Sequence, residues 1–210
     1  MADWFRRKSW TQTDEEEFFK KLNRARKDGR AQYLKIQAME LVQTEDKALL
    51  EVAEGLLNMM LTEYPQDNFN KGSALSTLGD IYKLLENYNK AKEYYKQVLD
   101  FEKVYPNVIT DAYLDYSELV VKTGEATSFD EVEQILLERQ QGLMFPINKY
   151  KVNSLLSIIN KHKNKHEEAK RFAELAEQSA NAETSGLRYH NYLGVVKDRD
   201  TWLDRHVQGD

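Results

Sequence analysis

Three aromatic–proline pairs, Tyr64-Pro65, Tyr105-Pro106 and Phe145-Pro146, punctuate the chain at intervals of 41 and 40 residues. They hold all three prolines of the 210-residue chain, and glycine adds only nine residues. Average usage would give about twice as many of these chain breakers. A sandwich, a barrel or any loop-rich fold needs more turns than that, whereas long helices do not. Between the prolines apolar residues recur at helical spacing, and no segment shows sustained alternation. The hydrophobic set is 41% and includes 12 Tyr and 8 Phe, enough for a core. Charged residues at 31% and a mean hydropathy of −0.72 supply the solvated exterior.

Composition also removes several function classes. The chain has no cysteine, which excludes disulfides, thiolate zinc sites and cysteine nucleophiles. No apolar run approaches the ~20 residues that span a bilayer. The start, Met1 to Lys8, is basic but lacks a signal-like apolar stretch, and Ala2 excludes N-myristoylation. A cytoplasmic location is the expectation. Charge is uneven: residues 1–30 carry nine Lys/Arg against six Asp/Glu, and the rest 21 against 29. An acidic body does not suit a phosphate backbone, so no nucleic acid is expected.

The first expected helix follows a Thr13-x-x-Glu16 capping box, buries Phe18, Leu22 and Ala25, and stops at Asp28-Gly29. Further helices are expected over 30–43, 46–63, 72–86, 88–103, 110–122, 129–142, 148–162, 165–180 and 186–206. Gly186 falls near the place where a fourth proline would be due.

Within this series a pattern repeats. Leu50, Ala53, Leu57 and Met60 follow a 3, 4, 3 spacing, as do Tyr88, Ala91, Tyr95 and Val98. Phe129, Val132, Leu136 and Arg139, then His166, Ala169, Ala173 and Ala176, follow it with weaker chemistry. Small residues precede each set at Ala38, Gly79, Ser117 and Ser157, with Gly194 as a last echo. The segment Leu75-x-x-Leu78-Gly79-x-x-Tyr82 followed by Tyr88-x-x-Ala91-x-x-x-Tyr95 resembles the tetratricopeptide repeat family. The period near 40 departs from that family's 34, and Leu75 stands where Trp is common. Ala38 to Leu50 and Ser117 to Phe129 span twelve residues instead of nine, which reads as a three-residue insertion in both turns. A generic helical-hairpin array, Sel1-like or HAT-type, is the alternative.

The resemblance implies an all-α, right-handed α-solenoid of about four antiparallel helix pairs with capping helices at both ends. Residues 1–30 would form a basic, aromatic arm and capping helix, and 31–210 the repeat domain. In such arrays a small residue on the first helix admits the second, and each pair leaves an apolar face for the next. The first helices line a groove that binds peptides or partner helices. Carried over by register, the groove residues are Lys35 and Met39; Ser76, Asp80 and Lys83; Leu114, Glu118 and Val121; Ser154, Ile158 and Lys161; then Asn191 and Val195. The carboxylate clamp of chaperone-binding members is not expected, because Met39 and Thr77 stand where Asn is needed.

Catalytic motifs are missing: no Gly-rich phosphate loop, no Gly-x-Ser-x-Gly and no His-Glu-x-x-His occurs. His162 and His166 have a metal-like spacing, but lysines surround them and a turn is expected between them, so they read as surface residues. Glu15 to Glu17 and Glu167-Glu168 complement helix dipoles. No cofactor and no enzymatic activity are expected. The stretch Trp4, Phe5, Arg6, Arg7 and Trp10 reads either as a cap on the first hairpin or as an arm that docks on an acidic partner or an anionic lipid surface. The functional expectation is a non-catalytic scaffold that binds a protein or peptide in its groove. The alternative is a regulator or inhibitor, toxin-neutralising or peptide-sensing, on the same scaffold. An RNA-binding repeat is disfavoured by charge, and homo-oligomerisation stays open.

Overall fold

The computed structural model describes residues 3–208. It has ten α-helices and no strand among the described residues. They are α1 (Gln12–Arg24), α2 (Lys27–Val42), α3 (Lys47–Glu63), α4 (Asn68–Leu84), α5 (Tyr88–Val104), α6 (Ala112–Lys122), α7 (Phe129–Gln140), α8 (Pro146–His162), α9 (His166–Ala180) and α10 (Thr201–Gln208). The chain divides into two compact units, Met1–Ala112 and Tyr113–Asp210.

Each unit is built from adjacent helix pairs. In the first, α2 packs on α3, α4 on α5, and α4 also touches both helices of the preceding pair. In the second, α8 packs on α9 and α7, and α10 returns to α8. Tyr116 on α6 donates to Glu131 on α7 at 3.0 Å. This is the packing of a tetratricopeptide-like helical repeat, and it follows from short, repeated turn chemistry.

The turn within each pair has one form, repeated four times. Seven residues after the small residue of the first helix comes a left-handed residue: Glu45 (φ 56°), Glu86 (58°), Gly124 (67°) and Asn164 (58°). Two residues later the second helix starts at Lys47, Tyr88 and His166. In the third pair a short 3-10 turn (Ala126–Ser128) starts there and runs into α7. Three of the turns close with a six-to-one bond, Asn87 N to Tyr82 O (2.9 Å), Glu125 N to Val120 O (3.1 Å) and Lys165 N to Asn160 O (2.9 Å). Such bonds use carbonyls that the helix end leaves without partners. The expected three-residue insertions therefore do not lie in the turns. Leu50 is simply the first buried residue one turn into α3, and the 3-10 turn takes up the difference before Phe129.

Gly79 shows why the first helix needs a small side chain. A Cβ there would lie 2.6 Å from Cδ1 and 2.9 Å from Cζ of Tyr95. Tyr95 is fully buried, and its hydroxyl donates to Asp80 at 2.7 Å. Ser157, also fully buried, donates across its hairpin to the Ala169 carbonyl at 2.9 Å.

Four boundaries differ from expectation. The cap of α1 is Thr11, which accepts from the Asp14 amide while the Asp14 carboxylate accepts from the Thr11 amide. Arg7 also binds Asp14, which favours this register over Thr13 and Glu16. Asp28-Gly29 is no stop but the first turn of α2; Arg30 instead donates to the Asn23 and Ala25 carbonyls at the end of α1. Pro65 and Pro106 follow the helix-ending Tyr64 and Tyr105, whereas Pro146 opens α8 with Phe145 as its cap. A proline suits either place, because its missing N–H costs nothing at the first position of a helix. Finally, no helix spans 186–206: residues 181–200 are irregular, with Gly186 (φ 78°) and Gly194 (φ 71°) left-handed, and α10 is the only helix there.

Candidate partner-binding surfaces

The N-terminal stretch packs as a cap on α1 and α2. Trp4 lies 5.3 Å from Phe18 and 5.0 Å from Tyr33 between ring centroids, and Trp10 lies 5.3 Å from Phe18. Phe5 packs tilted on Tyr33, 4.7 Å between centroids. Buried Gln37 on α2 completes the seal: its amide donates to the Arg7 carbonyl at 2.8 Å and its oxygen accepts the Arg7 N–H at 3.0 Å. Arg7 binds Asp14 and Glu17, and Arg6 binds Glu40 at 2.6 Å. Thr11 and then Arg7 hold the Asp14 carboxyl down at about 2. The basic side chains proposed for docking are thus engaged within the first unit.

The first-helix face of that unit carries Lys35 and Met39 on α2 and Ser76, Asp80 and Lys83 on α4. Met39 is 38% exposed. Lys35 is half-buried, and burial lowers its ammonium below the usual lysine range, against an opposing pull from Asp67. Ser76 and Lys83 are half-buried, while Asp80 accepts the Tyr95 hydroxyl from its own hairpin. Beside this face Lys27, Asp28 and Ala31 form a cleft of about 580 Å³ with the turn Glu63 to Asp67. Ala31 lies one helical turn before Lys35, and Asp67 links cleft and lysine.

The second unit is arranged differently. Leu114, Val121 and Ser154 are buried, Ser154 completely, and so offer no surface to a partner. Glu118 pairs with Lys122 at 2.6 Å and Lys151 at 3.7 Å, tying α6 to α8. Lys122 also reaches Asp200 at 3.6 Å and lies 5.3 Å from the centre of the Trp202 ring. Lys161 donates to the His206 carbonyl at 3.1 Å and to that of Val207. Ile158 is half-buried. Asn191 and Val195 lie in the irregular segment rather than on a helix, which contradicts their placement on a last groove helix. Gly194 meets α8 directly: its carbonyl accepts the Ile147 N–H at 2.8 Å, and a Cβ on it would lie 2.6 Å from that of Phe145.

Residues that the sequence did not single out hold this end together. The Tyr150 hydroxyl donates to Asp204 at 2.8 Å, and burial, then Asp204, raises it well above the usual tyrosine range. Arg199 grips Glu177 with two bonds, 3.0 and 2.6 Å, and Asp204 with two more, 2.7 and 3.0 Å. Arg199 and then Asn181 hold the Glu177 carboxyl at about 2. Asp200 caps α10 by accepting the Trp202 and Leu203 amides at 2.9 and 3.2 Å. Tyr150 precedes Ser154 by one turn, a register that was readable; the partners from α10 were not. His162 packs edge-on against Phe129 and stands on α8, while His166 opens α9.

The folds of both units define a class of helical-hairpin repeat proteins. Within it, residues 70–104 match the family model described as "Tetratricopeptide repeat". Those residues span most of α4 and all of α5, so this pair is a tetratricopeptide repeat. No curated protein and no solved structure matches the chain. Among the described residues no helix is long and apolar enough to cross a membrane.

Proposed function

We propose that this protein is a non-catalytic interaction module that binds a protein or peptide partner on the α2–α4 face of its first unit. Lys35 carries the reading. A half-buried ammonium whose charged form burial disfavours gains most from an anionic partner. Met39, one turn further on α2 and exposed, adds an adaptable apolar contact. The adjoining cleft provides concavity beside them. The ligand this chemistry favours is a segment with a carboxylate next to an apolar side chain, held by shape and side-chain complementarity rather than by bond chemistry. A cysteine-free chain of this kind suits the cytoplasm. Selection from a displayed peptide library tests the reading. Peptides recovered on the wild type are expected to lose at least tenfold in affinity on Lys35→Glu and on Met39→Asp. Peptides that bind both variants as well as wild type would place recognition elsewhere and sink this surface.

A further inference from the structure

Tyr150, Ser154, Ile158 and Lys161 form one stripe along α8, at helical spacings of four, four and three. Short α10 lies along that stripe. Its Asp204 meets Tyr150 at one end, and its last carbonyls meet Lys161 at the other. Ser154, between them, is fully buried. The α10 segment also crosses to α6, where Asp200 and Trp202 meet Lys122. A helix that merely capped the last pair would need only α8 and α9. This one bridges the first helices of two pairs, as a groove ligand does.

We propose that residues 199–208 occupy a helix-binding groove of the second unit in cis. The partner that competes for it is an amphipathic helix of the same chemistry. Such a helix has acidic residues at its start, an aromatic–leucine pair in its first turn, and its C-terminal carbonyls toward Lys161. This deepens the interaction-module reading and rests on it, at a different surface.

Three observations favour a displaceable occupant over a permanent part of the core. First, α10 has eight residues, and Leu203 is its buried side chain. Isolated helices that short are marginal in water, so α10 depends on the groove for its order. Second, the non-helical stretch 183–193 of its tether is largely exposed, Tyr189, Tyr192 and Leu193 included, while Gly194 and Arg199 hold the rest. Segments with few buried contacts and exposed backbone open first. A tether also supplies a high effective concentration, so weak ionic contacts suffice in cis and a better trans ligand wins. Third, the Ser154 hydroxyl is buried without a hydrogen-bond partner. It lies on the same stripe of α8 as Tyr150 and Lys161, and a ligand that supplies a polar group to that stripe improves on the cis helix.

The test is fluorescence anisotropy with a labelled peptide of residues 197–208, titrated with the full chain and with a chain ending at Val196. The truncated chain is expected to bind the peptide at least tenfold more tightly than the full chain. In the truncated chain Lys122→Glu with Lys161→Glu is expected to lose at least tenfold, whereas Lys20→Glu on α1 changes nothing. Affinity falls with added salt, as partly exposed ion pairs require. No binding, or equal binding to both chains, overturns the proposal. A dimer of the full chain that truncation converts to monomer means exchange between copies and also overturns the cis reading. If truncation unfolds the chain, a protease site placed within 187–193 of the full chain decides. Release of the α10 fragment on gel filtration supports the proposal, and a fragment that never leaves the folded protein overturns it. Loss of Lys35-dependent binding with peptide binding retained would defeat only the first-unit surface, and the reverse only this one.

Discussion

Gly79→Ala isolates the contact on which the helix-pair repeat depends. In the interior of an exposed helix, glycine to alanine stabilises by about 0.5–1 kcal/mol, because alanine has less chain freedom to lose. At position 79 the added methyl meets the Tyr95 ring at 2.6 and 2.9 Å, distances that real Cβ contacts do not adopt. Tyr95 is fully buried and tied to Asp80, so the ring has no solvent to move into. Overpacking of this kind costs about 1–3 kcal/mol, which offsets or outweighs the helix gain and leaves a net loss of up to about 2.5 kcal/mol. Gly55 is the internal control: it is exposed in α3, and a methyl added there has nothing within 4 Å, so Gly55→Ala is expected to stabilise by about 0.5–1 kcal/mol. Urea denaturation followed by circular dichroism compares the two at matched conditions. A third chain sharpens the logic. In a Tyr95→Leu background the clash is gone, and Gly79→Ala is expected to turn from destabilising to stabilising, with a coupling of about 1–3 kcal/mol. If Gly79→Ala behaves like Gly55→Ala in the wild-type background, close helix approach at this glycine is not what packs α4 on α5.

The remaining expectations concern the turns, the cap and acid. Glu45→Gly and Glu86→Gly each remove a left-handed non-glycine residue (φ 56° and 58°) and are expected to stabilise by about 0.5–1 kcal/mol in thermal or urea melts. Deleting residues 1–10 removes two hydrogen bonds to Gln37 and several aromatic pairs, together about 3 kcal/mol or more, which lowers Tm by roughly 6–12 °C. An unchanged Tm would return the stretch to the role of a free docking arm. Asp14 and Glu177 have carboxyls held down at about 2 against usual values of 3.8 and 4.5. Depressed carboxylates stabilise above the unfolded value, and that contribution is lost as pH falls through the folded one. Melting temperatures are therefore expected to drop between about pH 4.5 and about pH 2, and less steeply in Asp14→Asn/Glu177→Gln; equal slopes would refute the assignment.

Much of the architecture was readable because it is local. The small residues Ala38, Gly79, Ser117 and Ser157 mark the first helices, and the left-handed residue seven positions later is a consequence of each helix end. Asn164 and Gly124 announce it in composition, but Glu45 and Glu86 do not, since nothing about glutamate favours positive φ. What defeated local reading was competition between equally good signals. Thr11 and Thr13 both stand three residues before an acid, and the choice fell to Arg7, whose placement depends on Gln37 far along the chain. Pro146 also follows an aromatic residue and falls at nearly the same interval as Pro65 and Pro106, yet it starts a helix where they follow one. A proline's chemistry permits both, and its position in a repeat cannot separate them.

The groove register found the face but not its occupant. Spacing alone put Ser154 and Lys161 on one side of α8, and they do share it. Spacing cannot say that Asp204 and the end of α10 lie over that side, because the contacts join residues 45 to 54 positions apart across an irregular segment. The sequence of that segment, with Tyr189, Tyr192 and Leu193, has apolar residues close enough together to pass for helix, and Gly186 and Gly194 turn out to break it by positive φ. Yet part of the charge was on view: Asp200 lies 3.6 Å from Lys122, the last residue of α6. That complementarity is what lets a short helix with one buried leucine hold its place, and it is also what an acidic partner helix would use to take the place from it.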